Sequence, residues 1–92
     1  MLTPVVDDDA GVRQYAASVL RERGYEVAAF ADGEAALRHL ADARPSPSVL
    51  VTDVIMPHLD GKRLAALARA ILPKLPVLFV SGYSEDIVTQ GG

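Results

Sequence analysis

The hydrophobic pattern of this chain changes period repeatedly, and several of the apolar runs stop at an acid. Leu2 to Val6 is a short apolar run closed by Asp7, Asp8 and Asp9, as expected of a buried strand that reaches the end of a sheet. Pro4 fits that run poorly because it removes a ladder donor. Val12, Tyr15, Ala16, Val19 and Leu20 then recur at the spacing of one helix face, and Gly24 ends that helix. Tyr25 to Phe30 reads as a second strand, and Asp32-Gly33 opens a helix carrying Ala36, Leu37 and Leu40. After the breaker Arg44-Pro45-Ser46-Pro47-Ser48 comes a third strand, Val49 to Val51, running into Asp53. Asp60 caps the next helix, with Leu64, Leu67, Ala68, Ile71 and Leu72 on one face. Pro76 opens a fourth strand, Val77 to Val80, and Ser84-Glu85-Asp86 reads as the start of a further helix running into Gly91-Gly92. Regular alternation of strand and helix is the signature of an open parallel sheet with helices on both faces.

Composition narrows the function classes. The 92 residues suffice for one small domain, 1–92, and half of them are hydrophobic, which excludes disorder. Nine basic against twelve acidic residues, spread along the chain, offer no cationic patch for nucleic-acid phosphates or an anionic membrane. No run approaches the roughly 20 apolar residues of a membrane helix. The absence of cysteine removes thiolate metal sites and cysteine nucleophiles and suits the cytoplasm, the expected compartment.

Ligands of such sheets bind beyond the carboxyl ends of the strands. Asp7, Asp8 and Asp9 follow the first strand, Asp53 the third and Ser81 the fourth. The sequence leaves strand order open, but in the order 2-1-3-4 these three strands are neighbours and their end residues share one crevice. Two carboxylates about 4 Å apart repel by roughly 4 kcal/mol at an effective dielectric of 20, so the cluster needs a counterion. Hard oxygen donors without thiolates point to Mg2+. Each acid also has a plainer use at a helix start, as a cap, and Asp9 is divided evenly between the two. A calcium-binding EF-hand loop beginning at Asp7 fails at Val12 and Ser18, where glycine and glutamate are required, and a dinucleotide loop fails for want of glycines beyond Gly11.

Val5-Val6-Asp7-Asp8-Asp9 with Arg13, then Asp53-Val54-Ile55-Met56-Pro57-His58-Leu59-Asp60-Gly61, then Val80-Ser81-Gly82 together resemble the receiver domain of two-component response regulators. The resemblance implies a flavodoxin-like doubly wound sheet of order 2-1-3-4. It implies that Asp53 accepts a phosphoryl group and that Mg2+ is held by Asp7, Asp8, Asp53 and the main-chain carbonyl of Ile55. It further implies that Ser81 hydrogen-bonds the attached phosphoryl group, that Asp9 adds supporting charge, and that the donor is a histidine kinase or phosphotransfer domain. A receiver promotes its own phosphorylation and dephosphorylation without being a turnover enzyme. Pro57 and Gly61 shape the loop carrying Ile55, while His58 and Tyr83 border the same face; Arg13 and Lys62 are expected to be exposed.

The chain departs from that family after the fourth strand. The usual fifth strand, the lysine at its end and the fifth helix are lacking, so the domain reads as C-terminally incomplete. Lys74 lies at the wrong end of the sheet and Lys62 starts a helix leading away from the acids. The fourth strand is then expected to be a free edge that pairs with a second copy of this chain. The loop from Ser81 to Asp86 resembles receivers of hybrid sensor histidine kinases. Two other functions stay open: a receiver-like interaction module that no longer cycles phosphate, and a Mg2+-dependent phosphatase with an aspartyl nucleophile, whose D-x-D-x-T motif Asp7-Asp8-Asp9-Ala10-Gly11 matches only in part.

Overall fold

Alternating runs become alternating elements in the computed structural model, which describes residues 2–42, 47–80 and 87–90. In chain order these are β1 (Leu2–Val6), α1 (Ala10–Glu22), β2 (Glu26–Phe30), α2 (Gly33–Asp42), β3 (Leu50–Asp53), α3 (Gly61–Ile71), β4 (Val77–Val80) and β5 (Ile87–Gln90). The sheet order is β2-β1-β3-β4-β5. The first three pairings are parallel, giving the expected 2-1-3-4 order of a flavodoxin-like sheet, and β5 joins β4 antiparallel.

The reversal of winding at β1 sets the layers. From β1 the chain steps one way to β2, then crosses back to β3 and onward to β4; right-handed crossovers therefore put α1 on one face and α2 and α3 on the other. On that second face Val6, Leu50, Val77 and Phe79 pack with Ala36, Leu40, Leu64 and Ala68 in one buried cluster. Burial follows position in the sheet: β1 is covered along Thr3 to Val6, whereas β2, at the edge, is only half covered.

Pro4 is fully buried in a central strand, against the usual restriction. Asp7 donates its N–H to Phe30, so alternation along the strand turns the position of Pro4 toward β3, where pairing begins only at Val5. The missing donor falls just beyond the ladder.

Each helix begins on an aspartate that accepts a main-chain N–H: Asp9 from Val12, Asp32 from Ala35 and Asp60 from Arg63. Helix α1 ends as its glycine dictates. Gly24, at φ +93°, lets its own N–H reach the Arg21 carbonyl and that of Tyr25 reach the Leu20 carbonyl, closing a Schellman motif.

Two expectations are corrected. Ile87–Gln90 is a strand, not part of a helix begun at Ser84; β-branched Ile87, Val88 and Thr89 favour extended backbone over the start signal before them. Consequently β4 is not a free edge, since Val77 to Val80 pair with Gln90 to Ile87. Among the described residues there is no parallel fifth strand and no helix after α3. None of the described helices is long and apolar enough to cross a membrane.

Candidate functional site

Register brings the site together. Val6 pairs with Thr52, so the next residues along the two parallel strands, Asp7 and Asp53, stand side by side at the carboxyl end of the sheet, Asp53 as the last residue of β3. Asp7 is buried, Asp53 half-buried and Asp8 exposed. One carboxylate oxygen from each of Asp7, Asp8 and Asp53 lies within 4.8 Å of the other two. Asp9 is turned to capping α1, the plainer of its two expected uses.

Main-chain amides hold two of these carboxylates. Asp7 Oδ1 accepts from the Asp9 N–H at 2.9 Å, and Asp53 Oδ1 from the Val54 N–H at 2.8 Å. The Ile55 N–H also serves the Asp53 carboxylate. Burial pushes the Asp7 carboxyl above the ordinary carboxylate range; the Asp9 amide opposes this, and the charges of Asp53, Asp8 and Asp9 add to it. Burial likewise raises Asp53, opposed by the Val54 and Ile55 amides and reinforced by Asp8 and Asp9. The cluster is thus an under-compensated negative site.

The loop from Val54 to Asp60 is anchored at both ends. The Thr52 hydroxyl donates to the Asp53 carbonyl, and the Gly61 N–H donates to the Val54 carbonyl at 2.7 Å. A side chain at Gly61 would collide with the Asp53 carbonyl, so only glycine lets α3 begin this close to β3. Met56 and Leu59 are buried while Ile55 is 69% exposed. Between Pro57 and Leu59 the chain makes a three-residue turn, with the Leu59 N–H on the Pro57 carbonyl at 2.7 Å and His58 at φ +69°. That φ is uncommon for a non-glycine residue, and strain of this kind gathers at functional loops.

Ser81 and Tyr83 lie outside the described residues. Lys62 is exposed as expected, and Lys74 precedes β4 at the end of the sheet away from the acids, also as expected. Arg13 is not: it is half-buried, and its Nη1 donates to the main-chain carbonyl of Asp7 at 2.7 Å. Its position five residues after Asp8 was the only signal available, because a bond to main chain has no partner residue type to look for. At the opposite end of the sheet Pro47, Leu72, Pro73, Lys74 and Pro76 line an open depression of about 490 Å³. It contains none of the acids.

The family model described as the response regulator receiver domain matches residues 4–91. The sensor kinase CckA of Brucella abortus is 37% identical over 82 residues, covering 89% of this chain and 9% of CckA. The response regulator receiver protein CpdR of the same organism is 35% identical over 80 residues, 87% of this chain and 65% of CpdR. The chain thus spans less than two thirds of these relatives. The crystal structure of the receiver domain from the hybrid histidine kinase CckA superposes with a TM-score of 0.81 at 44% identity, over 91% of this chain and 78% of that one. The response regulator TrrA of Thermotoga maritima, solved in complex with Mg(2+)-BeF, gives 0.81 at 26% identity, over 90% and 70%.

Proposed function

On the premise that this chain belongs to the response regulator receiver domain family, we propose that it accepts a phosphoryl group on Asp53 from the phosphohistidine of a histidine kinase or phosphotransfer domain in the cytoplasm. The observation that carries this reading is the convergence of Asp7, Asp8 and Asp53 at the ends of two adjacent parallel strands.

The donor set fits a Mg2+ ion. One carboxylate oxygen from each of Asp7, Asp8 and Asp53 lies within 4.8 Å of the other two, so the three could converge on one small hard cation. All are hard donors, and two are held above their ordinary pKa by burial and neighbouring charge, which a cation relieves. Asp7, Asp8, Asp53 and the main-chain carbonyl of Ile55 would hold the ion, which supplies charge neutralisation for an anionic phosphoryl group.

The chain's own residues position the reaction. The Val54 and Ile55 amides fix the Asp53 carboxylate. One of its oxygens forms a bond to phosphorus as the phosphorus–nitrogen bond of the phosphohistidine breaks, and the imidazole leaves with the electron pair. Ser81 hydrogen-bonds the attached group. The added charge and acceptor oxygens then bias the surrounding loops, changing the surface offered to partners. The hybrid kinase CckA among the relatives supports a sensor histidine kinase as the parent of this receiver.

Incubation with a small acyl phosphate and Mg2+ tests this reading by intact mass. A gain of one phosphoryl group, absent in Asp53→Asn, is expected; an unchanged mass under conditions that label an intact receiver favours the non-cycling interaction module. Steady ester hydrolysis that depends on Asp7 but not Asp53 favours the phosphatase.

A further inference from the structure

We propose that Arg13 is a positioning residue for the metal-binding acids, acting by holding the peptide plane that aims Asp8; the inference rests on the Mg2+ site proposed above. Four hydrogen bonds form a closed circuit over seven residues. The Asp9 N–H reaches the Asp7 carboxylate, the Asp9 carboxylate accepts the Val12 N–H, the Asp9 carbonyl accepts the Arg13 N–H, and the Arg13 guanidinium returns to the Asp7 carbonyl. At 2.7 Å the last of these is the shortest of the four and is partly buried.

The gripped carbonyl belongs to the peptide unit joining Asp7 to Asp8. Rotation of that unit changes φ of Asp8, so holding the carbonyl narrows the positions from which the Asp8 side chain can reach the ion. Asp8 needs this most. Asp7 and Asp53 are held by amides on their own carboxylates, whereas Asp8 is exposed, so its backbone is the part that Arg13 can steady. Arg13 suits the task because its planar guanidinium stays charged and donates along a fixed direction. It acts as an outer partner that orients a ligand without touching the ion.

Calorimetric titration of the 92-residue chain with Mg2+ tests the proposal, because the midpoint reports affinity while the stoichiometry reports the folded fraction. Arg13→Met, which keeps most of the apolar stem, should weaken Mg2+ about tenfold, the low end for outer-shell partners, at unchanged stoichiometry. Arg13→Lys, which returns a donor, should recover part of the loss. At saturating Mg2+ the rate of labelling by a small acyl phosphate should return toward that of the parent. Equal midpoints for parent and Arg13→Met overturn the positioning role while leaving the metal site intact, as does a fall in stoichiometry alone. A parent that takes up no Mg2+ overturns both readings.

Discussion

Asp53→Asn should make the metal-free protein more stable, although it removes the residue on which function depends. The acidic oxygens lie within 4.8 Å of one another; at that separation two unit charges repel by about 3.5 kcal/mol at an effective dielectric of 20 and by about 0.9 kcal/mol in water. Asp8 faces solvent and Asp53 is half-buried, so screening places each pair near the lower figure. Removing the Asp53 charge relieves two such pairs and the cost of burying it, about 2 kcal/mol or somewhat more. Against this, the bonds from the Val54 and Ile55 amides weaken by up to about 1 kcal/mol when their acceptor becomes neutral. The net gain is about 1 to 2 kcal/mol, or roughly 5 to 10 °C in a domain of this size. Thermal melts in chelated buffer read it directly. Mg2+ should then close or reverse the gap, because it binds and stabilises the folded parent more than the variant. A lower melting temperature for Asp53→Asn without metal, or a gap indifferent to Mg2+, refutes the electrostatic account.

Other expectations follow from the same contacts. Because Asp7 and Asp53 titrate above their unfolded range, the folded state binds more protons than the unfolded one just above the ordinary carboxylate pKa, so their contribution to stability falls as pH rises through that window. Denaturant titrations of the parent and of Asp7→Asn/Asp53→Asn should therefore diverge with rising pH, the double variant gaining; parallel curves contradict it. Replacing Asp60 by alanine should cost about 1 kcal/mol as a lost cap, whereas Asp9→Ala should cost less because it also removes a charge facing Asp7 and Asp53. Chemical denaturation of the pair decides this, equal losses counting against it. Gly24→Ala has open space and only its positive φ against it, so it should cost about 1 kcal/mol. By contrast, Gly61→Ala must displace the backbone at Asp53, and should both lower the melting temperature further and reduce Mg2+ affinity; similar behaviour of the two variants would be inconsistent with the close approach.

Much of the fold was legible because strand and helix impose different periods. The runs ending at Val6, Phe30 and Val80, the three helices and the α2 face emerge as expected, but the faces of α1 and α3 do so only in part: Tyr15, Leu67 and Ile71 are exposed, whereas Ala17 and Ala65 are buried. Pro4 looked disruptive because its effect depends on which neighbour its missing N–H would face, a tertiary fact. The helix expected from Ser84 gave way to β5 because a polar start signal competed with a β-branched run, and pairing with β4 favours the latter. The acids could be found because charge at strand ends is conspicuous. Arg13 could not, since nothing local shows a guanidinium folding back onto the carbonyl of Asp7.

The central claim is that Asp53, set among these acids, is the group that receives phosphate. Its most direct test is borohydride trapping after treatment with a small acyl phosphate and Mg2+, followed by peptide mass mapping, because reduction of an aspartyl phosphate leaves homoserine at the labelled position. Homoserine at position 53 alone, dependent on Mg2+, is the predicted result. Homoserine at Asp7, Asp8 or Asp9, or none in a protein whose mass shows a phosphoryl group attached, contradicts it.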